Sequence, residues 1–459
     1  MRLLLKLNWK RLADYKSERP MMSKQNCRVL ALLCLFCLLT INLLVNNRAF
    51  ADGPQGASVA TATGRNAAII ATTDAVLKET SELRELPILK PVKSGAQSRT
   101  DIERMIIKNL DEESTPADMH ATEVSLKKFG LAPADFQYRP FLIKLLTEQV
   151  AGYYDPKAQQ FYLADWIELE GQKPVMAHEL THALQDQHFN LRRFEKWPKG
   201  DADAELAVHA LVEGDATLTM TFYMAKNPLV ALAFIRSLGA EGMSSDQFKQ
   251  APRALRESLV FPYEQGSEWT TQLYRRGGWA LVSQAFTKLP QSSEQILHID
   301  KYLSYEAPVK VTLPDLRSVF GSGWKRIDYD VNGEWSYYLI LDQFLNDPAE
   351  SKRAAAGWAG DRYEIYEGTT PGDVCVAQMT VWDTETDAKE FFDAYAKRTS
   401  RRYAGSRASE TTSVKGQERQ VWQTSEGAVV LQLRGSRVSI LEGVPSQVDA
   451  KNLLRLLWQ

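Results

Sequence analysis

Residues 178–182 read His-Glu-Leu-Thr-His, and this spacing strongly constrains how the chain folds around it. Pro174 and the apolar residues after it predict a helix through the motif. On a helix, side chains four residues apart share one face, so His178 and His182 can reach one metal ion. Zinc takes neutral imidazole nitrogens at about 2.0–2.1 Å and, in catalytic sites, keeps a position open for water. Glu179 is the candidate base for that water.

A catalytic zinc usually has three protein ligands, so a third ligand is expected elsewhere in the chain. His188 extends the motif to HExxHxxGxxH spacing, except that Gln185 stands where that pattern has glycine. On an unbroken helix, six residues beyond His182 is about 240° of rotation, away from the metal. Glycine permits the left-handed turn that would bring the chain back, and glutamine resists it.

A second predicted helix, from Asp203 to about Lys226, offers other candidates. Its acidic start suits the helix dipole. Glu205, His209 and Glu213 follow at steps of four and therefore share one stripe. Glu213 and His209 are both candidate ligands on this stripe.

The two helices together resemble the gluzincin metallopeptidases, in which HExxH is followed some tens of residues later by Glu-Gly-x-Ala. Here that second motif is Glu213-Gly-Asp-Ala216. The resemblance implies that Glu213 is the third zinc ligand. In one departure from the pattern, Thr217 stands where many gluzincins have an aspartate that orients a histidine. Asp215 and Asp186 are the candidates for that orienting role.

Three further stretches, residues 177–189, 293–302 and 357–363, resemble a bacterial family of predicted secreted or envelope metallopeptidases. That resemblance implies a reaction class but no substrate. Residues 149–164 also read as a β-hairpin around an Asp-Pro turn. Zincins commonly carry such an edge strand above the active-site helix, where a peptide substrate can add as an extra strand.

Peptide hydrolysis also needs a group that stabilises the oxyanion besides the metal. His298 is the predicted catalytic residue for this role, because it is one of only six histidines. Tyr302 and Tyr263 are the alternatives.

Charge and the N-terminal sequence bear on partners and compartment. Lys plus Arg (55) nearly balance Asp plus Glu (57), which gives no indication of nucleic-acid binding. The apolar run 29–45 and the following Ala49-Phe50-Ala51 predict a signal peptide cut after Ala51, and hence a periplasmic or secreted protein. An uncleaved signal anchor is the alternative, and only then is membrane contact expected. Cys375 would be the one cysteine left after cleavage.

These patterns predict an α+β protein with four parts. The parts are a signal peptide (1–51), a low-complexity linker (52–100), a mostly helical zincin-like domain with a small edge sheet (101–350) and a small α+β domain (351–459). The expected function is a zinc metallopeptidase acting on a peptide or protein substrate. The alternative is a non-catalytic envelope protein that binds a partner on a zincin scaffold. The sequence leaves the oligomeric state open.

Overall fold

The computed structural model describes residues 55–149, 152–166, 169–194, 197–237, 246–414 and 416–459. The predicted signal peptide, residues 1–51, lies outside the described residues.

Helices make up most of the described chain before the last third. They run over Gln55–Arg84, Arg99–Glu113, Pro116–Lys128, Tyr138–Gln149, Leu169–Phe189, Leu191–Phe194 (3-10), Ala202–Lys226, Pro228–Ser237, Asp246–Gln250, Arg253–Ala285, Ser293–Leu297, Ile299–Ser304, Arg317–Phe320, Gly333–Leu345, Pro348–Ala355, Glu385–Arg402 and Ala450–Leu457.

The strands form two sheets, which with the helices confirm the predicted α+β class. They run over β1 (Lys93–Gln97), β2 (Gly152–Asp155), β3 (Gln160–Ala164), β4 (Lys325–Asp330), β5 (Trp358–Glu367), β6 (Val374–Trp382), β7 (Ala408–Val414), β8 (Gln417–Thr424), β9 (Gly427–Arg434) and β10 (Arg437–Val444). The small sheet has the order β1-β3-β2, and the large, antiparallel sheet has the order β4-β5-β6-β10-β9-β8-β7.

Four helices surround the HExxH motif and are named here. They are the N-terminal helix (Gln55–Arg84), the HExxH helix (Leu169–Phe189), the glutamate helix (Ala202–Lys226) and the tyrosine helix (Arg253–Ala285). The HExxH helix is buried at every residue from Pro174 to Asp186. It begins at Leu169, so Pro174 lies in its second turn.

The glutamate and tyrosine helices run parallel and approach each other closely. Ala210 and Gly214 lie beside Gly266, and further along Phe222 packs against Trp279. A Cβ on Gly214 would lie 2.3 Å from the backbone of Gly266, and a Cβ on Gly266 would lie 2.1 Å from the Ala210 carbonyl oxygen. The backbones therefore touch where no side chain fits between them.

The N-terminal region is not the linker that its composition indicated. The N-terminal helix and β1 occupy most of residues 55–97, and β1 pairs in parallel with β3. The helix buries a stripe at steps of three and four, made of Ile69, Thr73, Val76, Thr80 and Arg84. Three of these five side chains are polar, so the apolar periodicity that usually reveals a helix is missing.

The predicted boundary at residue 351 falls inside the C-terminal fold. Strand β4 lies before it in sequence yet pairs with β5 in the large sheet. The Arg398 guanidinium, which is fully buried, binds both the Glu442 carboxylate and the carbonyl oxygen of Phe129. The buried ion pair of the C-terminal fold is therefore linked to the helical region by the hydrogen bond to Phe129. Cys375 is free and buried.

Among the described residues, no single helix is long and apolar enough to cross a membrane. The pair Ala202–Lys226 and Pro228–Ser237 meets the length and hydropathy criteria only when taken together, and it is bent by 113°.

A charged cluster is buried where two short helices meet the helix Gly333–Leu345. Glu294 is 3 % exposed, and the Lys301 ammonium lies 3.1 Å from its carboxylate. Burial raises the pKa of Glu294 to about 7, although Lys301 opposes this shift, and Glu334 adds to it. The folded protein therefore holds a proton on Glu294 at pH values where the unfolded chain has released it.

We expect Gly266→Ala to destabilise the protein by about 1–3 kcal/mol, because the new methyl group must push the helices apart. The gain in helix propensity, about 1 kcal/mol, is smaller than this cost. Gly171→Ala is the matched control, since its Cβ would meet the Ser237 side chain at 3.3 Å and no backbone atom closer than the Ala233 carbonyl oxygen at 3.9 Å. Denaturant midpoints measure both effects. Equal midpoints for the two variants would contradict the close packing.

We also expect Glu294 to lower the free energy of unfolding as pH rises from about 4.5 to 7, with a slope of up to about 1.4 kcal/mol per pH unit. The sign follows because its folded pKa lies above its unfolded pKa. Glu294→Gln should remove this contribution, whereas Glu306→Gln, which changes an exposed partner of Lys301, should not. Urea denaturation across this pH range is the measurement. Parallel pH curves for wild type and Glu294→Gln would show that Glu294 does not titrate in this way.

Candidate metal centre

Three predicted ligands come together between the HExxH helix and the glutamate helix. His178 Nε2 lies 3.0 Å from Glu213 Oε2 and 3.1 Å from His182 Nε2. His182 Nε2 lies 3.4 Å from the same Glu213 oxygen. Among the described residues these three side chains form the one group that could hold a metal ion.

The spacing of the three donor atoms fits zinc. Ligand atoms about 2.0–2.1 Å from a tetrahedral zinc lie about 3.3–3.4 Å from one another. The observed separations of 3.0, 3.1 and 3.4 Å are close to that triangle. Two imidazoles and one carboxylate are also a ligand set that zinc accepts with a fourth position left for water.

The charges within the cluster favour a cation. Burial alone would lower the pKa of His182, but the Glu213 carboxylate outweighs it and raises this pKa to about 9. Burial opposes ionisation of Glu213, yet the two histidines hold its pKa well below the usual range. His182 thus holds a proton beside an ionised carboxylate. A divalent cation can replace that proton.

Glu179 lies beside the cluster but is not one of the three ligands. Its Oε2 accepts a hydrogen bond of 3.0 Å from the Tyr154 N–H. Burial raises the pKa of Glu179, although the nearby histidines partly oppose this shift. A carboxyl group with a raised pKa is suited to take up and release a proton near neutral pH.

Tyr263 also lies at the cluster, carried there by the tyrosine helix. Its ring centroid is 6.1 Å from that of His178. Burial, followed by the charges of Glu213 and Glu179, raises the pKa of the phenol well above its usual value. Tyr263 therefore stays protonated and can donate a hydrogen bond. The sequence named it only as an alternative, since nothing in its local pattern indicates that it reaches the metal ligands.

The small sheet places the predicted hairpin next to the site. Strands β2 and β3 pair antiparallel, and β2 lies at the sheet edge. The N–H of Tyr154 points away from β3, toward Glu179. The outer side of β2 therefore faces Glu179.

Gln185 holds His182 on the side away from the ligand cluster. Its Oε1 lies 2.9 Å from His182 Nδ1, and its Nε2 donates to Asp215 Oδ2 at 2.9 Å. Of the two predicted orienting carboxylates, Asp215 supports Gln185. Asp186 instead accepts hydrogen bonds from the Tyr154 hydroxyl and the Leu191 N–H.

His178 lacks an equivalent support within the described residues. Its Nδ1 is buried without a hydrogen-bond partner, and so is the hydroxyl of Thr217, which stands where gluzincins have their aspartate. The orienting interaction thus falls on His182 in this chain. No local pattern indicated this role of Gln185, which stands where the extended motif has glycine.

The remaining histidine candidates lie outside the three-ligand group. His188 Nε2 is 2.7 Å from the Pro87 carbonyl oxygen, at the end of the HExxH helix. His209 lies one turn before Glu213, and burial lowers its pKa to about 4, although Glu213 opposes the shift.

The predicted oxyanion-stabilising residues have other partners. His298 Nε2 is 2.9 Å from Glu334 Oε1, and the imidazole is 44 % exposed. The Tyr302 hydroxyl donates to the Lys288 carbonyl oxygen, and its ring packs against Trp269. The side chain that the structure brings to the cluster is Tyr263.

Comparisons with known proteins bear on the C-terminal part of the chain. A family described as "Domain of unknown function (DUF8575)" matches residues 319–454. This range begins just before β4 and includes the whole large sheet, but the metal cluster lies outside it. No curated protein and no solved structure matches the chain.

Proposed function

We propose that this protein is a zinc-dependent metallopeptidase that hydrolyses peptide bonds. The observation that carries the proposal is the meeting of His178, His182 and Glu213 at zinc-ligand spacing, with Glu179 beside them and outside the ligand set. In a purely structural zinc site, protein ligands fill all four positions, and no further buried carboxylate is needed beside them.

His178, His182 and Glu213 would hold the Zn²⁺. When bound, zinc supplies a Lewis acid that polarises the scissile carbonyl and makes water a nucleophile near neutral pH. Glu179 takes a proton from the attacking water and passes it to the leaving amine. The hydrogen bond from the Tyr154 N–H fixes one carboxylate oxygen of Glu179, so the other is available for this transfer.

Tyr263 is the residue that we assign to the oxyanion. Its phenol remains protonated and lies beside the ligands, so it can donate a hydrogen bond where negative charge develops. The sequence favoured His298 for this role. The pairing of His298 with Glu334 and the position of Tyr263 both favour the tyrosine.

The substrate class follows from the edge of the small sheet. β1 covers β3 on one side, which leaves β2 as the edge next to Glu179. An extended peptide can pair with such an edge through backbone hydrogen bonds, largely independent of its side chains. We therefore propose a peptide or protein substrate, met in the periplasm or outside the cell if the leader acts as predicted.

The metal assignment predicts about one zinc per chain in the purified protein, measured by elemental analysis. His182→Ala and Glu213→Ala should each lose most of this zinc, because each removes one of three ligands. His188→Ala is the control and should keep it, since His188 bonds to the Pro87 carbonyl. Zinc retained in Glu213→Ala but lost in His188→Ala would establish the extended-motif ligand set instead.

The catalytic assignment predicts that Glu179→Gln keeps its zinc and loses peptide hydrolysis by about 10²–10⁴-fold. Tyr263→Phe should keep its zinc and lower kcat by about 10²–10³-fold, because it removes one donor to the oxyanion. His298→Ala and Tyr302→Phe are the comparison variants and should retain most of the activity. Kinetics on a quenched-fluorescence peptide library measure all four.

Two results would change the proposal. A greater loss in His298→Ala than in Tyr263→Phe would return the oxyanion role to His298. Full rescue of a deletion phenotype by Glu179→Gln would show that hydrolysis is not the function, and the alternative of a partner-binding zincin scaffold would replace it.

A further inference from the structure

A buried chain of side chains leads from His182 to the last residue of the N-terminal helix. His182 Nδ1 meets Gln185 Oε1, and Gln185 Nε2 donates to Asp215 Oδ2. The other oxygen of Asp215 accepts a hydrogen bond from Arg84 Nε. Arg84, Asp215 and Gln185 are all fully buried.

We infer that Arg84 is a positioning residue for the metal ligand His182, acting through Asp215 and Gln185. This inference rests on the proposed function only in taking His182 as a zinc ligand. It assigns to the N-terminal helix a part in building the metal site.

The first step concerns the tautomer of His182. Coordination through Nε2 requires the proton to be on Nδ1, where it can donate to Gln185 Oε1. The amide of Gln185 is held in the matching orientation because its NH₂ group donates to both the Val212 carbonyl oxygen and Asp215. A flipped amide would turn its oxygen toward these two acceptors and its NH₂ toward the Nδ1–H.

The second step concerns the position of Asp215. Its carboxylate accepts from Gln185 on one oxygen and from Arg84 on the other, out of contact with solvent. Because each oxygen is held by one donor, the Arg84 guanidinium fixes the rotation of the carboxylate and so the place of the oxygen that meets the Gln185 NH₂. Without Arg84, the carboxylate could turn away from Gln185.

The third step concerns Arg84 itself. Its Nη2 donates to the Ser283 hydroxyl at 3.1 Å, and its guanidinium stacks over the Trp279 ring at 4.4 Å. Both partners belong to the tyrosine helix, beyond its break at Gly277 and Gly278. The guanidinium is thus held by two contacts besides Asp215, and its place does not depend on the carboxylate alone.

Zinc affinity of the full exported chain tests the inference without any peptide substrate. We expect Arg84→Met to weaken zinc binding about 10–100-fold, the usual effect of losing an outer partner of a ligand. Gln185→Ala should weaken it to a similar degree. The double variant should bind zinc no more weakly than either single variant, because the effects of residues that act through the same series of hydrogen bonds are not additive. Competition with a chromophoric chelator measures the affinities, and the visible spectrum of the Co²⁺ form reports the ligand geometry.

Arg398→Met is the matched control. Arg398 is equally buried and also paired with a carboxylate, that of Glu442, but it lies in the C-terminal fold. It should lower stability and leave zinc affinity and the Co²⁺ spectrum unchanged. Arg84→Lys is the second variant if Arg84→Met does not fold. It keeps the charge but not the fork of donors, so we expect a folded protein with an affinity between wild type and Gln185→Ala.

The outcomes separate this inference from the proposed function. If Arg84→Met and Arg84→Lys bind zinc as tightly as Arg398→Met, with the same Co²⁺ spectrum, Arg84 is only structural and the inference fails while the metal site stands. Additive losses of zinc affinity in the double variant would likewise overturn the inference that Arg84 acts through Gln185. Absence of zinc binding in the wild-type protein would overturn the proposed function as well.

Discussion

The contact of the glutamate helix with the tyrosine helix at Gly214 and Gly266 is the constraint on which the candidate site depends. Backbones this close fix the rotation of both helices, since neither can turn without driving a side chain into its neighbour. That rotation directs Glu213 toward the two histidines and brings Tyr263 to the same place. The lack of a side chain at both glycines thereby determines where the Glu213 carboxylate and the Tyr263 phenol meet.

Much of the metal centre could be predicted from sequence, because local spacing determines it. His178 and His182 lie one helical turn apart, and the resemblance to gluzincins supplied Glu213. The support of His182 could not be predicted this way. Arg84 and Asp215 are separated by 131 residues, and no local pattern encodes a pairing over that distance. The approach of Tyr263 to His178, 85 residues away in sequence, is not encoded by a local pattern either.

The fold class was predictable from the sequence, but the boundaries of its parts were less so. Periodicity predicted the α+β class. The N-terminal helix was predicted to be a linker instead, because polar residues on its buried stripe interrupt the apolar period. Strand β4 was missed because its partner β5 follows only after two intervening helices. The matched family range, residues 319–454, begins before β4 and so includes β4 together with the other strands of the large sheet.

The N-terminal helix also has a consequence for the order in which the chain is made. Arg84 is synthesised early, but its partners Asp215 and Ser283 follow 131 and 199 residues later. Until both have emerged, the guanidinium has no buried place and Gln185 has no oriented carboxylate. A nascent chain that already contains His178, His182 and Glu213 therefore has the three candidate ligands without their full support. That support is complete only when the chain has been made as far as Ser283.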